Sequence, residues 1–399
     1  MKKTICVIGL GYIGLPTASL LATKGFKVTG VDVNPKVVDS INRGQVHIVE
    51  PDLDVLVKSA VHSGNLSASL QPQPSDIFII AVPTPFGEHK KPDTRYVEAA
   101  TSALVPHLAE GNLVILESTV PVGTTQNVVA DTIFAQRPEL KDQIAIAHCP
   151  ERVLPGQILR ELIENDRVVG GIDAQSTEAA ADFYLQFVNG EVLVTDAATA
   201  EMAKLTENSY RDVNIAFANE LSMICDELQI NVWELIRLAN RHPRVNILNP
   251  GPGVGGHCIA VDPWFIVSSA PETARLIRTA REVNDFKPEW VIEKVRQRAG
   301  RFKHPVVGCL GISFKADIDD VRESPALEIV KTLLRETDME VLVTDPFAAP
   351  LPDFDLLPIT EVLKRADIVL VLVDHKPYRK LSAAALKEKI VIDTRGMLS

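Results

Sequence analysis

Directly behind the apolar run "TICVI", the chain reads "GLGYIG" at residues 9–14, and no other stretch narrows its fold as far. Three glycines in six residues suit neither the interior of a strand nor that of a helix. They suit a turn between the two. The following "LPTASLLATKGFKVTGVDV" reads as a helix and then a second apolar strand ending at Asp32. Both strands are continuously apolar rather than alternating, as expected of parallel strands buried on both faces. Strand, glycine turn, helix, strand and an acidic residue about 20 positions on is the dinucleotide-binding pattern. Gly9 allows the tight turn, Gly11 lets the backbone approach a pyrophosphate, and Gly14 lets helix pack on strand. Asp32 accepts hydrogen bonds from both ribose hydroxyls and repels a 2′-phosphate, so NAD is favoured over NADP.

The alternation continues in "DIFIIAVPTP", "NLVILESTV", "QIAIAHCPE" and "RVVGG", separated by helical or loop patterns. From about Thr195 to Asn240 apolar residues recur at spacings of three and four, with neither proline nor glycine, which predicts helix. The last hundred residues repeat the opening plan. "HPVVGCLGISFK" is strand and glycine loop, "SPALEIVKTLLRE" a helix, and "EVLVTDP", "ADIVLVLVD" and "KIVIDTRG" further strands. The expected class is α/β, with two Rossmann-like doubly wound domains joined by a helical central region. The boundaries fall at 1–195 for an N-terminal NAD-binding domain, 196–300 for the central region and 301–399 for the C-terminal domain.

Charge excludes several roles. With 41 basic against 52 acidic residues the formal net charge is −11, which argues against nucleic-acid or anionic-membrane binding. An anionic ligand therefore needs locally collected Arg and Lys. Five cysteines show no paired spacing and His257 beside Cys258 has no further ligands in register, so neither a disulfide framework nor a metal site is expected. The two lysines before the first apolar run imitate a signal peptide weakly, but glycines interrupt the run and no cleavage site follows. No apolar stretch approaches spanning length. A cytoplasmic protein is expected.

The stretch "NPGPGVGGHCIAVDPW", residues 249–264, sets Cys258 at the end of a run rich in glycine and proline. Read alone, this is equally a structural turn with an incidental thiol or a ligand cradle with a nucleophile. Beside an NAD fold, a loop thiol becomes useful when an aldehyde must be oxidised further. Thiolate addition gives a thiohemiacetal, hydride loss a thioester, and water releases a carboxylate. That course needs an oxyanion stabiliser, and Lys204, Asn208 and Arg211 in "EMAKLTENSYRDVN" are spaced to project from one helical face. A solvated polar stripe is the competing reading of those three residues.

These stretches, in order, are "GLGYIGLPTA", "INRGQVHIVEPDL", "AVPTPF", "ESTVPVG", "CPERVLPG", "AEMAKLTENSYRDVNIAFANEL", "RHPRVNILNPGPGVGGHCIAVDPWFI" and "GISFKADIDDVRESPA". On them the chain resembles the UDP-glucose/GDP-mannose dehydrogenase family along essentially its full length. The resemblance implies Cys258 as nucleophile, Lys204 with Asn208 at the oxyanion or substrate proton, and Glu151 as base for the hydrolytic water, with Asp262 positioning it. Thr119 would lie near nicotinamide and the reacting water. Tyr12, Ile13, Asp32, Thr84, Thr119 and, from the C-terminal domain, Arg322 would contact NAD. The nucleotide sugar would meet Arg152, Val153, Lys204, Asn208, Arg211, His242, Arg244, Gly255, Phe314 and Lys315, with Arg395 adding a distal contact.

The resemblance also implies a homodimer in which an arginine of the Arg244 segment is shared across the interface. Its activity would be a four-electron oxidation of a 6-hydroxyl to a carboxylate, feeding surface polysaccharide synthesis. UDP-glucose members carry a lysine just before the aspartate that follows the cysteine, whereas this chain has Val261. The resemblance therefore implies a UDP-N-acetylhexosamine as substrate, UDP-N-acetyl-D-mannosamine first, with UDP-N-acetylglucosamine, UDP-glucose or UDP-N-acetylgalactosamine as alternatives. Two rival classes are a two-electron hydroxyacid dehydrogenase with an idle cysteine and a non-enzymatic nucleotide-sugar sensor.

Overall fold

The computed structural model describes residues 3–87, 90–256, 258–336 and 338–398. Two compact units emerge, one formed by Met1–Glu207 with Trp264–Pro271, the other by Asn208–Pro263 with Glu272–Ser399.

The first unit is built on an eight-stranded sheet of order β3-β2-β1-β4-β5-β6-β7-β8. The strands are β1 (Thr4–Ile8), β2 (Lys27–Val31), β3 (Leu66–Ser69), β4 (Ile77–Ile80), β5 (Leu113–Leu116), β6 (Ala145–His148), β7 (Arg167–Gly171) and β8 (Val192–Asp196). All neighbours pair in parallel except β6 with β7. The continuous apolar runs follow from burial on both sides. Ile5, Val7, Ile77 and Ile79 point into one cluster and Cys6, Ile8, Phe78 and Ile80 into the other. The strand β3, "LSAS", and the edge strand β8, half-exposed along its length, escape the sequence reading because neither carries that apolar signal.

In the second unit four parallel strands run in the order β10-β9-β11-β12, namely β9 (Val306–Leu310), β10 (Glu340–Thr344), β11 (Ile368–Val371) and β12 (Ile390–Asp393). Helices Arg275–Ala299 and Pro325–Leu334 cover one face and helix Ile359–Arg365 the other. In both sheets the connections reverse direction beside a central strand, and ligands of such sheets bind at that switch point.

The expected helical stretch from Thr195 to Asn240 divides into two. Helix Ala197–Glu227 ends where Gln229 takes φ +58° and Ile230 N–H donates to the Cys225 carbonyl at 2.7 Å. Asn231 then caps helix Val232–Ala239 by accepting from the Trp233 and Glu234 amides. The closing residue of the first helix is a glutamine, not the usual glycine, so no breaker marks the boundary in the sequence.

Candidate active site

At the C-terminal ends of β1 and β4, the glycine turn is held by the Gly9 N–H donating to the Val31 carbonyl at 2.8 Å. Gly9 has φ +93°, and a Cβ there would lie 2.5 Å from the Ala81 carbonyl oxygen. A Cβ at Gly14 would lie 1.8 Å from the Gly9 oxygen, whereas one at Gly11 meets no protein atom within 4 Å. The three positions thus divide as turn, close packing and open cradle. Helix Gly14–Thr23 begins at Ile13 with no side-chain cap and no acidic residue in its first turn, which leaves its positive end for an anion. Tyr12 stands beside it, 41% exposed.

Asp32 is half-buried at the end of β2, its Oδ2 accepting from the Leu10 amide at 3.1 Å and its Oδ1 from the Asn34 amide at 2.9 Å. These bonds aim the carboxylate beside the glycine turn, so the residues present fit an NAD adenosine ribose and pyrophosphate. Thr84 and Thr119 also come together, the Thr84 hydroxyl donating to the Thr119 carbonyl at 2.6 Å.

Beyond β6, Glu151 is buried and both its oxygens are engaged. Oε1 accepts from the Arg152 amide at 2.8 Å and Oε2 from Arg167 Nη1 at 2.8 Å. Arg152 is itself bound to Glu207 at 2.7 Å, and Val153 packs against the core. Under this site lies a buried group that sequence reasoning missed. Glu117 accepts from the Tyr184 hydroxyl at 2.7 Å, and its pKa is raised to about 7 by burial and then by the charge of Glu151. Cys149, beside them, is pushed up to about 12 by burial. Glu201 was missed as well. Its carboxylate accepts from the Gly123 amide at 2.5 Å, the Thr125 amide at 2.7 Å and the Thr125 hydroxyl at 2.6 Å. That fastens the long helix to the loop after Thr119. The signal available for both was an acidic residue inside an apolar or motif-bearing run.

In the second unit the Cys258 carbonyl accepts from the Val261 amide at 3.1 Å and the Asp262 amide at 2.9 Å. That turn delivers the exposed Cys258 straight into helix Asp262–Ser269. Asn208 Nδ2 donates to Asp262 Oδ2 at 2.6 Å, and both side chains are buried. The cysteine loop is therefore tied to the helix whose same face carries Arg211, exposed, and two turns earlier Lys204, half-buried. His257 lies outside the described residues.

Gly255 sits where any Cβ would lie 2.5 Å from the Glu323 oxygen and 3.0 Å from Phe314 Cβ, so the glycine run and the Phe314 loop are in contact. Lys315 next to it is exposed. Arg395 donates from Nε to Asp374 at 2.9 Å, with its guanidinium beside Gly251. Arg322 is exposed and pairs with Asp320 at 2.6 Å. His242 and Arg244 stand on an exposed loop clamped at its base, where Asn240 bonds both backbone groups of Ile247 at 2.7 and 3.0 Å. Among the described residues no group of three or more His, Cys, Asp or Glu is placed to hold a metal ion. None of their helices is long and apolar enough to cross a membrane.

Three family models match the chain in succession. They are the NAD-binding domain of the UDP-glucose/GDP-mannose dehydrogenase family over residues 3–188, its central domain over 198–286 and its UDP-binding domain over 308–399. The chain belongs to the UDP-glucose/GDP-mannose dehydrogenase family. It is an NAD-binding oxidoreductase of that family. Among relatives of this dehydrogenase, one from Ralstonia nicotianae named NDP-N-acetyl-D-galactosaminuronic acid dehydrogenase is 60% identical over all of this chain and 96% of its own length. The Escherichia coli UDP-N-acetyl-D-mannosamine dehydrogenase is 52% identical, with 99% of each chain covered. The solved UDP-N-acetyl-mannosamine dehydrogenase of Staphylococcus aureus superposes with TM-score 0.87 at 43% identity, covering 99% of this chain and 96% of the other.

Proposed function

We propose that this dehydrogenase oxidises the 6-hydroxyl of UDP-N-acetyl-D-mannosamine to the uronate in two steps, consuming two NAD and one water. Bound NAD supplies the hydride acceptor for each oxidation. The observation that carries the reading is the Asn208–Asp262 bond at 2.6 Å, which ties the Cys258 turn to the helix bearing Lys204 and Arg211. Lys204 and Asn208 steady the alkoxide and later the tetrahedral oxyanion, where losing one such donor typically costs roughly 3–4 kcal/mol of barrier stabilisation. Cys258 adds to the 6-aldehyde to form a thiohemiacetal, whose carbon gives up the second hydride and becomes a thioester on sulfur. Glu151 takes a proton from the attacking water and Asp262 orients that water, so that the carboxylate departs and the thiolate is restored. Thr119 lines the nicotinamide end, with Tyr12, Ile13, Asp32, Thr84 and Arg322 along the cofactor.

Arg152, Val153, Arg211, His242, Gly255, Phe314, Lys315 and Arg395 line the nucleotide sugar in this reading, cations meeting the diphosphate. Arg244 reaches the site of a second copy, so the working unit is a homodimer. We divide the chain functionally into 1–195, 196–300 and 301–399, and place it in the cytoplasm, consistent with five cysteines of which none is in a disulfide. The 60% identity to the galactosaminuronic acid dehydrogenase favours UDP-N-acetylgalactosamine as a second reading. Purified protein incubated with UDP-N-acetylmannosamine, UDP-N-acetylgalactosamine, UDP-N-acetylglucosamine and UDP-glucose decides between them. Two NADH per sugar, highest kcat/KM on the mannosamine, is the expected result. One NADH per sugar would refute the four-electron course.

A further inference from the structure

Glu117, Glu151, Arg167, Tyr184 and Cys149 form one closed cluster at the ends of β5, β6 and β7 beneath helix Ala174–Tyr184. Glu117 is 3% exposed, and the side chains of Arg167 and Glu151 are 3% and 5% exposed. The cluster holds two carboxylates and one cation. With both acids ionised it would carry a net negative charge out of reach of water, which is costly even after relaxation. One proton restores neutrality.

The hydrogen bonds decide which acid carries it. Glu151 accepts from two donors, the Arg152 amide and the charged Arg167 guanidinium, so both of its oxygens are satisfied. Among the described residues Glu117 accepts only from Tyr184, and its buried Oε2 has no hydrogen-bond partner. A lone unsolvated oxygen penalises a carboxylate far more than a carboxylic acid. The other groups facing the cluster do not alter the count. Cys149 and Tyr184 are held neutral by burial, and His148 on the same strand is neutral with its pKa lowered to about 3. Arg167 also donates from Nη2 to the Leu162 carbonyl at 2.9 Å and lies 5.6 Å from the Tyr184 ring, while the guanidinium of Arg152 is paired with Glu207 at 2.7 Å.

We infer that Glu117 is a positioning residue for the hydrolytic half of the reaction, standing protonated beside the Glu151–Arg167 pair and thereby reserving Arg167 for Glu151. The inference rests on the reading of Glu151 as the base. While Glu117 keeps its proton, Arg167 is committed to Glu151 and fixes the orientation of its carboxylate. When Glu117 ionises, its charge competes for Arg167 and repels Glu151, so the carboxylate of Glu151 loses its clamp. The neutral-range step belongs to Glu117.

The test is single-turnover acid formation as a function of pH, with infrared spectra of the same proteins. In the wild type the rate falls through a neutral-range inflection as Glu117 ionises and draws Arg167 from Glu151, and a protonated carboxylic acid band is present at pH 6. Glu117→Gln, neutral and of the same shape, is expected to lose both inflection and band. Tyr184→Phe removes the donor to Glu117 and is expected to move the inflection to higher pH. It also serves if Glu117→Gln does not fold. An inflection unchanged in both variants, or no such band in the wild type, overturns the inference, because a merely structural Glu117 would move neither. If no UDP-sugar is turned over, the role of Glu151 fails, and the band alone then decides the state of Glu117.

Discussion

Gly14→Ala separates packing from cofactor binding in the glycine turn. A methyl carbon at Gly14 lands 1.8 Å from the Gly9 carbonyl oxygen and 2.9 Å from its carbon. Ordinary close carbon–oxygen contacts are about 3.3 Å, so relief takes about 1.5 Å of movement. Gly9 cannot supply it. Its N–H is bonded to Val31 at 2.8 Å and its outer side faces the Ala81 backbone. The helix Gly14–Thr23 must retreat instead, against a core in which nearly all of its residues are buried.

Overpacking of this kind costs roughly 1–3 kcal/mol, and with backbone as the obstacle about 3 is expected. Because the retreating helix end is where we place the cofactor's pyrophosphate, a misplacement of about 1 Å is expected to cost roughly 100-fold in NAD affinity. Urea unfolding and calorimetric NAD titration measure the two losses. Gly11→Ala is the paired control. Its methyl meets nothing within 4 Å, so stability should stay within about 0.5 kcal/mol while NAD binding weakens. Gly14→Ala with wild-type stability and affinity would refute the packing argument, and Gly11→Ala with unimpaired NAD binding would refute the cradle.

Cys258→Ser should abolish uronate formation while leaving calorimetric NAD binding intact, and normal acid yield by chromatography would contradict its role. Asp32→Ala should weaken NAD and narrow the preference over NADP, as read from the ratio of kcat/KM values. Because Asp32 also accepts from the Leu10 and Asn34 amides, a small stability loss should accompany it. Glu201→Ala removes an acceptor of three hydrogen bonds and is expected to destabilise the chain by about 3 kcal/mol in urea unfolding, since charged acceptors contribute most. Glu117 keeps its proton to about pH 7 when folded, against an ordinary value of 4.5. Its contribution therefore opposes folding increasingly as pH rises between those values, and the Tm of Glu117→Gln should gain on the wild type from pH 5 to pH 8. A constant difference across that range would disprove the shift.

Local chemistry was legible wherever one segment carries its own reason. Three glycines with Asp32 announce a dinucleotide turn because spacing along a strand–helix–strand unit is set by the backbone alone. The apolar runs announced the strands buried on both faces, and missed β3 and β8 because half-exposed strands carry no such run. The helix break at Gln229 was invisible because a glutamine occupies the left-handed position.

The sequence by itself thus determined the fold class, the glycine turn beside Asp32 and the thiol-bearing loop, each written within a few dozen consecutive residues. Tertiary structure alone decided which charges share a buried space. Arg167 meets Glu151 from an adjacent strand, Tyr184 reaches Glu117 across 67 positions, and Glu201 reaches Thr125 across 76. The physical reason is that desolvation and charge pairing depend on distance through the folded chain. Separation along the chain carries no record of them.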